Sequence, residues 1–292
     1  MTAFASLGFL GLGVMGAGMC ANLTRKAGVP VHGADLNPEA VARMVAVGMV
    51  AESSAVAVAA QAECLFLSLP GGAQVEAVAH ELLATPGRLK MVVDMSTAPA
   101  ELARSLAAKF AEKGIAFVDA PVARLRQAAI DGTLSIMVGA SDADFATIRP
   151  YLLHMGTDVT HCGDVGAGQV VKIINNMVVF MNVQALAEGL AIARGNGVDG
   201  QTLFDVLALG SADSFMLRNT GMKNLIPDHF PEATFPTDYA LKDIGYALDL
   251  AKAAGVEPTG ALATRALLER SRAQGHALDY YPVFVRTIEG RG

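Results

Sequence analysis

Three glycines near the start of the chain constrain its fold more than any other feature of the sequence. Gly11, Gly13 and Gly16 follow the apolar run Leu7–Leu10 and open a helical pattern over Met15–Ala27. In this spacing, the first glycine permits a tight turn, the second allows the backbone to approach a diphosphate, and the third allows the helix to pack closely on the strand. The amides at the start of the helix then attract phosphate oxygens. The segment therefore predicts a dinucleotide-binding βα turn.

The same stretch has to be distinguished from a membrane segment, because no charged residue occurs between Ala3 and Leu23. A spanning helix needs about 20 predominantly apolar residues, but five glycines interrupt this stretch. No basic residue precedes Arg25, as a secretory signal would require. The other stretch of low charge, Val165–Arg194, contains Lys172 and several amide side chains. We interpret both as parts of a soluble, cytoplasmic protein whose 52% of hydrophobic residues form a large core.

Charge and cysteine content exclude several functional classes. The formal net charge is −6, from 22 basic and 28 acidic residues, and no basic patch of the kind that nucleic-acid binding requires is visible. The three cysteines, Cys20, Cys64 and Cys162, are odd in number and too widely spaced for a disulfide framework. The six histidines are scattered without metal-ligand spacing, so we expect neither a metal nor a nucleic-acid partner.

Up to about Gly163, short apolar runs alternate with helical patterns. The runs predicted as strands are Leu7–Leu10, Val29–Ala34, Cys64–Ser68, Met91–Asp94, Ile115–Val118, Leu134–Val138 and Asp158–His161. The predicted helices between them are Met15–Ala27, Pro38–Val47, Gln74–Leu83, Pro99–Lys113 and Asp142–Leu153. This alternation indicates an α/β fold, a Rossmann-like domain over residues 1–163 with a doubly wound, mostly parallel sheet. The run near Leu134 follows a hairpin-like loop, so we expect the sheet to end mixed.

The pattern over residues 164–292 predicts an all-helical second domain for substrate binding and oligomerisation. One helical pattern runs from about residue 166 to 194 with only three charges. A helix that is apolar on nearly all sides is buried on nearly all sides, as in a domain core or between domains or subunits. Shorter helices are predicted over Asp199–Leu209, Ala240–Ala254 and Gly260–Gln274. We therefore expect a homodimer or homotetramer, with the active site in the cleft between the two domains.

Asp35 follows the second predicted strand, 19 residues after Gly16. A carboxylate at this place accepts hydrogen bonds from the ribose hydroxyls of the adenosine half of a dinucleotide. It would repel a 2′-phosphate, and the segment Asp35–Pro38 contains no arginine that could bind one. NAD is therefore favoured over NADP. The alternative is that Asp35 is an ordinary turn or cap residue before Pro38.

Lys172, Asn175 and Asn176 are unusual because they interrupt an otherwise apolar helical pattern. Residues three and four apart share one face of a helix, so the three side chains are expected to point into one small volume. A buried lysine is costly unless it has partners or its pKa falls. Such a lysine can donate and accept the proton that carbonyl reduction and alcohol oxidation require. The alternative is a lysine at a domain rim, with amides that satisfy nearby backbone.

With these features the sequence resembles the β-hydroxyacid dehydrogenases, the family of 3-hydroxyisobutyrate dehydrogenase. The blocks that carry the resemblance span almost the whole chain in the family's order: Gly8–Gly16, Asp94–Thr97, Asp119–Val122, Lys172 with Asn175 and Asn176, and Asp238–Asp243. It implies an NAD(P)-dependent dehydrogenase or reductase that acts on a CH–OH group, with hydride transfer between a nicotinamide and a small substrate.

The resemblance also implies roles for residues near the reacting atoms. Lys172 matches the family's catalytic lysine, the proton donor to the substrate oxygen during reduction. Asn176 matches the amide that orients the substrate beside it, and Asn175 lies in the same motif. Ser96 and Thr97 match a segment near the nicotinamide and the substrate. The alternative for this pair is a helix-start signal.

A second set of positions matches the cofactor-binding surface of the family. Val14 and Met15 correspond to the turn beneath the diphosphate. Leu69 and Pro70 correspond to a loop against the cofactor ribose. Lys242 matches a lysine that reaches the cofactor from the second domain, and the alternative for it is an exposed helix lysine.

One departure from the family pattern bears on the substrate. Where the family continues Asp-x-Pro-Val with Ser-Gly-Gly, whose amides hold the substrate carboxylate, this chain has Ala123, Arg124 and Leu125. Arginine binds anions through a fork of donors, and the loop resembles that of the sulfolactaldehyde reductase branch. We therefore expect Arg124 to bind a sulfonate or carboxylate of a small aldehyde or hydroxy acid. The alternative is that Arg124 and Arg126 are surface charges on a solvated loop.

Other functions stay open. Within enzymes, the chain could be a 3-hydroxyisobutyrate dehydrogenase or a reductase of succinic semialdehyde, tartronate semialdehyde or glyoxylate, which differ in the anion they bind. Imine reductases share the architecture but typically lack a lysine where Lys172 stands. From a different class, the chain could be a catalytically silent NAD-binding module, although Lys172, Asn175 and Asn176 favour an enzyme.

Overall fold

The computed structural model describes residues 3–232 and 234–291. Contacts between residues divide the chain into two compact units, with the division after Lys172. The first unit is an α/β unit with a mostly parallel sheet, and the second is helical. The predicted fold class is therefore confirmed.

One sheet forms the centre of the first unit. Its nine described strands are β1 (Leu7–Leu10), β2 (Val31–Ala34), β3 (Val50–Ala51), β4 (Cys64–Leu67), β5 (Met91–Asp94), β6 (Ala116–Asp119), β7 (Val122–Ala123), β8 (Leu134–Gly139) and β9 (Gly156–Gly163). They follow the order β3-β2-β1-β4-β5-β6-β8-β7, with β9 paired to β8. The first six of these strands run parallel, whereas β8 is antiparallel to β6 and β7. The expected mixed end of the sheet is thus present.

Apart from the terminal Asp94 and Asp119, the central strands are apolar because both faces of the sheet are covered, as in other parallel sheets. Cys64 and Phe66 of β4 lie in one hydrophobic cluster, and Leu65 and Leu67 lie in another. This is the alternation that a pleated strand imposes. The helices of this unit are α1 (Gly16–Lys26), α2 (Pro38–Val45), α3 (Ala55–Gln61), α4 (Gly72–Ala84), α5 (Ala100–Ala111), α6 (Arg126–Asp131) and α7 (Asp142–Leu152).

The register of the parallel strands brings several predicted site segments to one edge of the sheet. Leu10 pairs with Ala34 on one side and with Leu67 on the other. Asp94, at the end of β5, pairs with Asp119 at the end of β6. In open α/β sheets, ligands bind at the carboxyl ends of the strands, so this edge is the place where a cofactor is expected.

The second unit packs helices around its own hydrophobic core. Its elements are most of α8 (Ala167–Gly195), then α9 (Gly200–Leu207), a π-helical segment (Leu217–Leu225), α10 (Thr237–Ala253), α11 (Thr259–Ala273), a 3₁₀ turn (Tyr281–Val283) and α12 (Phe284–Ile288). Phe180, Phe204 and Phe284 are at most 2% exposed and lie together in this core. The unit therefore has the buried aromatic centre of a folded domain.

Helix α8 is less buried within the chain than the sequence predicts. By length and composition alone it is apolar enough to cross a membrane, but Phe180 lies in the core of the second unit. On another side Val171, Ile174, Val178 and Ile192 are 41–66% exposed. The expectation of burial on nearly all sides is therefore not met within one chain, because the apolar residues of α8 extend beyond the face that the core covers.

Candidate active site

The glycine-rich turn has the geometry that its sequence predicts. Gly11 has a φ of +89°, and a Cβ there would overlap the carbonyl oxygen of Ser68. A Cβ on Gly16 would overlap the carbonyl oxygen of Gly11. By contrast, apart from Gly13 itself and its two chain neighbours, no described atom lies within 4 Å of the position that a Cβ on Gly13 would take. The first and third glycines thus serve the fold, and the second borders open space beside the turn.

The start of α1 fits a diphosphate. Its N-cap position is Met15, and in the described part of the chain no side chain caps this helix. The first amides of a helix have no partner within the helix itself, and they carry a partial positive charge. Val14, beside them, is 48% exposed. With the open space at Gly13, the turn offers the amide cradle that a dinucleotide requires.

Asp35 is held by the backbone on both sides. Its Oδ2 accepts a 2.5 Å hydrogen bond from the amide of Leu12, and its Oδ1 accepts a 2.7 Å bond from the amide of Asn37. The helix that follows is capped by Asn37, which accepts from the amide of Glu39, and not by Asp35. Because each carboxylate oxygen has two lone pairs, Asp35 can still accept bonds from ribose hydroxyls.

Ser96 joins the loops that follow β4 and β5. Its hydroxyl oxygen accepts a 2.8 Å hydrogen bond from the amide of Leu69, and its own amide donates to Oδ1 of Asp94. Ser96 is 4% exposed, whereas Pro70 is exposed and Thr97 half-buried. The N-cap position of α5 is Pro99, so the Ser-Thr pair does not occupy the cap. The predicted cofactor loop and the predicted substrate segment are therefore directly connected.

Asp119 caps the helix that carries the predicted catalytic lysine. Its two carboxylate oxygens accept hydrogen bonds of 2.6 and 2.7 Å from the amides of Gly166 and Gln169, just before and within the first turn of α8. The residue is fully buried, and this burial raises the pKa of the carboxyl to about 6. In the sequence, Asp119 stands out only as part of a motif, and no role is predicted for Asp119 or Gln169.

Lys172 stands three residues after Gln169 on α8, so the two side chains emerge on the same face of the helix, one turn apart. Its side chain is only 9% exposed. The prediction of a buried lysine at this position is therefore met. The asparagine pair follows on the next turn of the same helix.

Asn176 takes part in a buried polar network of the second unit. Its amide nitrogen donates a 2.7 Å hydrogen bond to Oδ2 of Asp243, and its oxygen accepts a 3.1 Å bond from Asn175. Asn176 and Asp243 are 6% and 2% exposed. Asp243, for which the sequence predicts no role, therefore fixes the orientation of the Asn176 amide.

Lys242 is a partner in the same network and not a solvated helix lysine. Its Nζ lies 3.1 Å from Oδ1 of Asp243. It also stands 5.3 and 5.5 Å from the ring centres of Tyr239 and Tyr246, within the range of cation–π attraction. Its side chain is 26% exposed. Whether it reaches a cofactor stays a prediction.

Arg124 occupies an unusual backbone conformation and uses its side chain in a local ion pair. Its φ is +86°, in the left-handed region that favours glycine. The guanidinium donates to Asp158 at 2.7 Å, to Thr157 at 3.1 Å and to the carbonyl oxygen of Thr133. Arg126, the first residue of α6, is exposed. The predicted contact of Arg124 with a substrate anion stays a prediction.

The described residues contain no group of three or more His, Cys, Asp or Glu side chains that could hold a metal ion.

Comparison with known proteins places these features in a family. Residues 6–163 match the family model described as the NAD-binding domain of 6-phosphogluconate dehydrogenase. Residues 166–283 match the model described as the NAD-binding of NADP-dependent 3-hydroxyisobutyrate dehydrogenase. The two matches together cover nearly all of the described chain.

Individual relatives agree with the family models. The chain is 38% identical to 2-(hydroxymethyl)glutarate dehydrogenase of Eubacterium barkeri, covering 92% of this chain and 90% of the relative. It is also 38% identical to 3-hydroxyisobutyrate dehydrogenase of Pseudomonas aeruginosa, over 94% and 95% of the two chains. The solved structure of Mycobacterium tuberculosis 3-hydroxyisobutyrate dehydrogenase with L-serine superposes with a TM-score of 0.89 at 30% identity, covering 99% of each chain. This chain therefore belongs to the 3-hydroxyisobutyrate dehydrogenase family of β-hydroxyacid dehydrogenases.

Proposed function

We propose that the chain is an NAD-dependent oxidoreductase that interconverts a short anionic hydroxy acid and its aldehyde, with Lys172 as general acid and base. The observation that carries the proposal is the burial of Lys172 on a helix whose first turn is anchored by Asp119. A positioned amine shielded from water can exchange a proton with a substrate oxygen.

The mechanism follows from the residues on α8. During reduction, Nζ of Lys172 donates a proton to the carbonyl oxygen of the aldehyde, and during oxidation the neutral amine takes the hydroxyl proton back. When bound, the nicotinamide supplies or accepts the hydride at the substrate carbon. Asn176, oriented by Asp243, hydrogen-bonds the substrate beside the lysine. The Ser96 hydroxyl, whose oxygen accepts from Leu69, still has its proton to donate to the substrate. Fixed positions of this kind lower the entropic part of the barrier.

The preference for NAD rests on Asp35. A carboxylate already held at 2.5 and 2.7 Å by two amides is fixed in place, and it would repel a 2′-phosphate at the ribose. Leu36, the next residue, is fully exposed and carries no charge. The turn thus lacks the cation with which NADP-dependent enzymes bind the phosphate.

The substrate class that the relatives favour is a β-hydroxy carboxylate. By their names, the two curated relatives act on 2-(hydroxymethyl)glutarate and 3-hydroxyisobutyrate. Both compounds have a primary alcohol on the carbon next to the one that bears a carboxylate. A substrate of this shape places the reacting oxygen and the anion a short, fixed distance apart.

A sulfonate substrate, as in sulfolactaldehyde, is the second candidate, and Arg124 is the observation that favours it. The ion pair between Arg124 and Asp158 is half exposed on both sides, and ion pairs exposed to solvent contribute little to folding stability. The guanidinium could therefore leave Asp158 for a sulfonate at little cost.

A homodimer or homotetramer is part of the proposal. The exposed apolar residues of α8, Val171, Ile174, Val178 and Ile192, recur at helical spacing along one side. A second copy of the chain would remove this apolar stripe from water, which is the usual fate of such a surface.

A steady-state screen tests the proposed function. The purified protein is assayed with NADH and NADPH against sulfolactaldehyde, succinic semialdehyde, tartronate semialdehyde and glyoxylate, and in reverse with 3-hydroxyisobutyrate and 2-(hydroxymethyl)glutarate. Turnover with NAD and one anionic substrate supports the proposal. Binding of the cofactor without any turnover would instead favour a silent NAD-binding module.

A further inference from the structure

Asp119 occupies an enclosed site at the first turn of α8. A Cβ on Gly139 or on Gly168 would clash with its carboxylate, so both positions need glycine to leave it room. On the neighbouring strand, Asp94 is paired with it in register. The carboxylate is thus confined on several sides, and its two oxygens meet the amides of α8 in a single arrangement.

Burial of a charged carboxylate in this arrangement costs folding free energy, and favourable interactions have to offset that cost. A charged carboxylate in a fully buried place loses its hydration, and this burial raises the pKa of Asp119 to about 6. The two short hydrogen bonds and the positive end of the helix dipole offset part of the loss. A serine or asparagine would cap the helix without a buried charge, but it would offer only one acceptor oxygen to the two amides.

Gln169 connects the same turn to the substrate segment. Its Nε2 donates a 2.8 Å hydrogen bond to the carbonyl oxygen of Ser96, and its Oε1 accepts a 3.1 Å bond from the amide of Ala98. The side chain is fully buried. Both polar ends are therefore bonded to the backbone on either side of Thr97, and the separation between that backbone and α8 is fixed.

We propose that Asp119 and Gln169 are positioning residues of the reaction, which lock α8 to the Ser96–Ala98 segment and so hold Lys172 in register with Ser96. The inference rests on the proposed role of Lys172. It follows from the spacing on α8: Lys172 stands one turn after Gln169 on the same face, so a shift of the tethered turn moves the lysine with it.

The primary test is Gln169→Met, which keeps the size of the side chain and removes both hydrogen bonds. We expect kcat to fall by about tenfold or more, because small displacements of reacting groups are costly, while the dissociation constant for NADH, measured by fluorescence, stays within about twofold. The matched control is Gln201→Met, since Gln201 is an exposed residue of α9 whose side chain bonds only Asp205 among the described residues.

Gln169→Glu is the rescue variant. When protonated, its carboxyl has the shape of the amide, donates to the carbonyl oxygen of Ser96 and accepts from Ala98. The ionisable groups near this turn include Asp119, Asp94, Arg104, Cys162, Asp164 and Lys172. A negative charge on Asp119 favours the protonated form of the introduced carboxyl. We expect the kcat of this variant, relative to wild type, to rise as the pH falls, and that of Gln169→Met to stay constant.

Three outcomes would overturn the inference. A kcat of Gln169→Met within about twofold of wild type would show that the tether does not matter for the reaction. A joint loss of kcat, NADH binding and melting temperature would show a merely structural role. A flat pH response of Gln169→Glu would show that its hydrogen bonds do not act on the lysine. If wild type and Gln201→Met turn over none of the substrates, the proposed function fails, and the positioning role fails with it.

Discussion

The amide nitrogen of Leu12 lies 2.5 Å from Oδ2 of Asp35, so the glycine-rich turn after β1 is bonded directly to the end of β2. The same carboxylate accepts from Asn37 through its other oxygen. Asp35 therefore shapes the turn, and two backbone amides hold its carboxylate in one orientation. Preorganisation of this kind reduces the ordering cost of binding.

Cofactor preference should change when this carboxylate is replaced. We expect Asp35→Ser combined with Leu36→Arg to shift the ratio of kcat/KM for NADPH over NADH by about a hundredfold, because repulsion of the 2′-phosphate is replaced by a charge-assisted bond. The control is Leu36→Arg alone, at a position where the wild-type side chain is fully exposed. A wild type that already prefers NADPH would contradict the assignment of Asp35.

Removal of the buried lysine should abolish proton transfer but not cofactor binding. We expect Lys172→Met to lower kcat by about 10²- to 10⁴-fold, the range that general acid–base groups contribute, while NADH affinity is retained. Lys252→Met, at an exposed position near the end of α10, serves as the control. A kcat of Lys172→Met close to wild type would remove the lysine from the mechanism.

Arg124 can act through its backbone or through its guanidinium, and two substitutions separate these roles. Glycine adopts a φ of +86° freely, whereas alanine does not. We expect Arg124→Gly to keep KM for a carboxylate substrate within about threefold and Arg124→Ala to raise it about tenfold or more. For sulfolactaldehyde, both variants should raise KM. Equal losses of Arg124→Gly on both substrates would mean that the guanidinium binds carboxylates as well.

We expect kcat for aldehyde reduction to fall as the pH falls through about 6, because Asp119 is protonated there. Burial raises its pKa from 3.8 to about 6, so the folded protein takes up this proton before the unfolded chain does. Its contribution to folding stability therefore rises as the pH falls from about 6 to 3.8 and is lost as the pH rises through 6. As the pH falls over this range, however, Asp119 loses the negative charge with which it caps α8.

The measurement is kcat for aldehyde reduction and the melting temperature between pH 5 and 8. Because reduction needs a protonated Lys172, a fall in pH does not impair the lysine itself, and we assign the acid limb of the kcat profile to Asp119. Other ionisable groups near this carboxyl include Arg104, Asp94, Cys162 and, one turn along α8, Lys172. We expect Asp119→Asn to lower kcat and remove the acid limb. Retention of the wild-type limb in this variant would contradict the assignment.

Charge on the exposed stripe of α8 should dissociate the proposed oligomer. Ile174 and Val178 are 44% and 54% exposed on adjacent turns. We expect Ile174→Asp with Val178→Asp to reduce the mass measured by light scattering to that of one chain, because a buried unpaired charge is costly. Leu209→Asp, at a position that is 90% exposed and outside α8, is the control. A wild type that is monomeric would contradict the proposal at once.

The regular spacing of apolar residues made most of the fold predictable. The run Leu7–Leu10 is a strand at the predicted bounds, and the helix predicted over Met15–Ala27 is observed at Gly16–Lys26. Short elements escaped prediction: β3 has two residues, and the sequence of α3 (Ala55–Gln61) alternates alanine and valine without a polar face. The sequence signal for α3 was its N-cap residue Ser54, whose hydroxyl oxygen accepts a hydrogen bond from the amide of Ala57.

The site was predictable where a local motif carries the chemistry, and not where partners are far apart in sequence. Gly11, Asp35 and Lys172 belong to such motifs. The bonds from Asp119 to Gly166 and Gln169 join residues 47 and 50 positions apart, and nothing in the local sequence shows that α8 starts against β6. The ion pair of Arg124 with Asp158 spans 34 positions. It depends on the pairing of β8 with β9, which a one-dimensional pattern does not reveal.

The three glycines of the turn are needed for two different physical reasons. A methyl group on Gly11 or Gly16 would overlap a carbonyl oxygen whatever the protein binds, so any descendant that keeps this fold must keep both. Gly13 faces open space, and only a ligand that passes close to the backbone requires it. A descendant that abandoned its cofactor would be free to replace Gly13 while its neighbours stayed invariant. Among such descendants, substitutions at Gly13 would follow the loss of cofactor binding and would appear before any change in the fold.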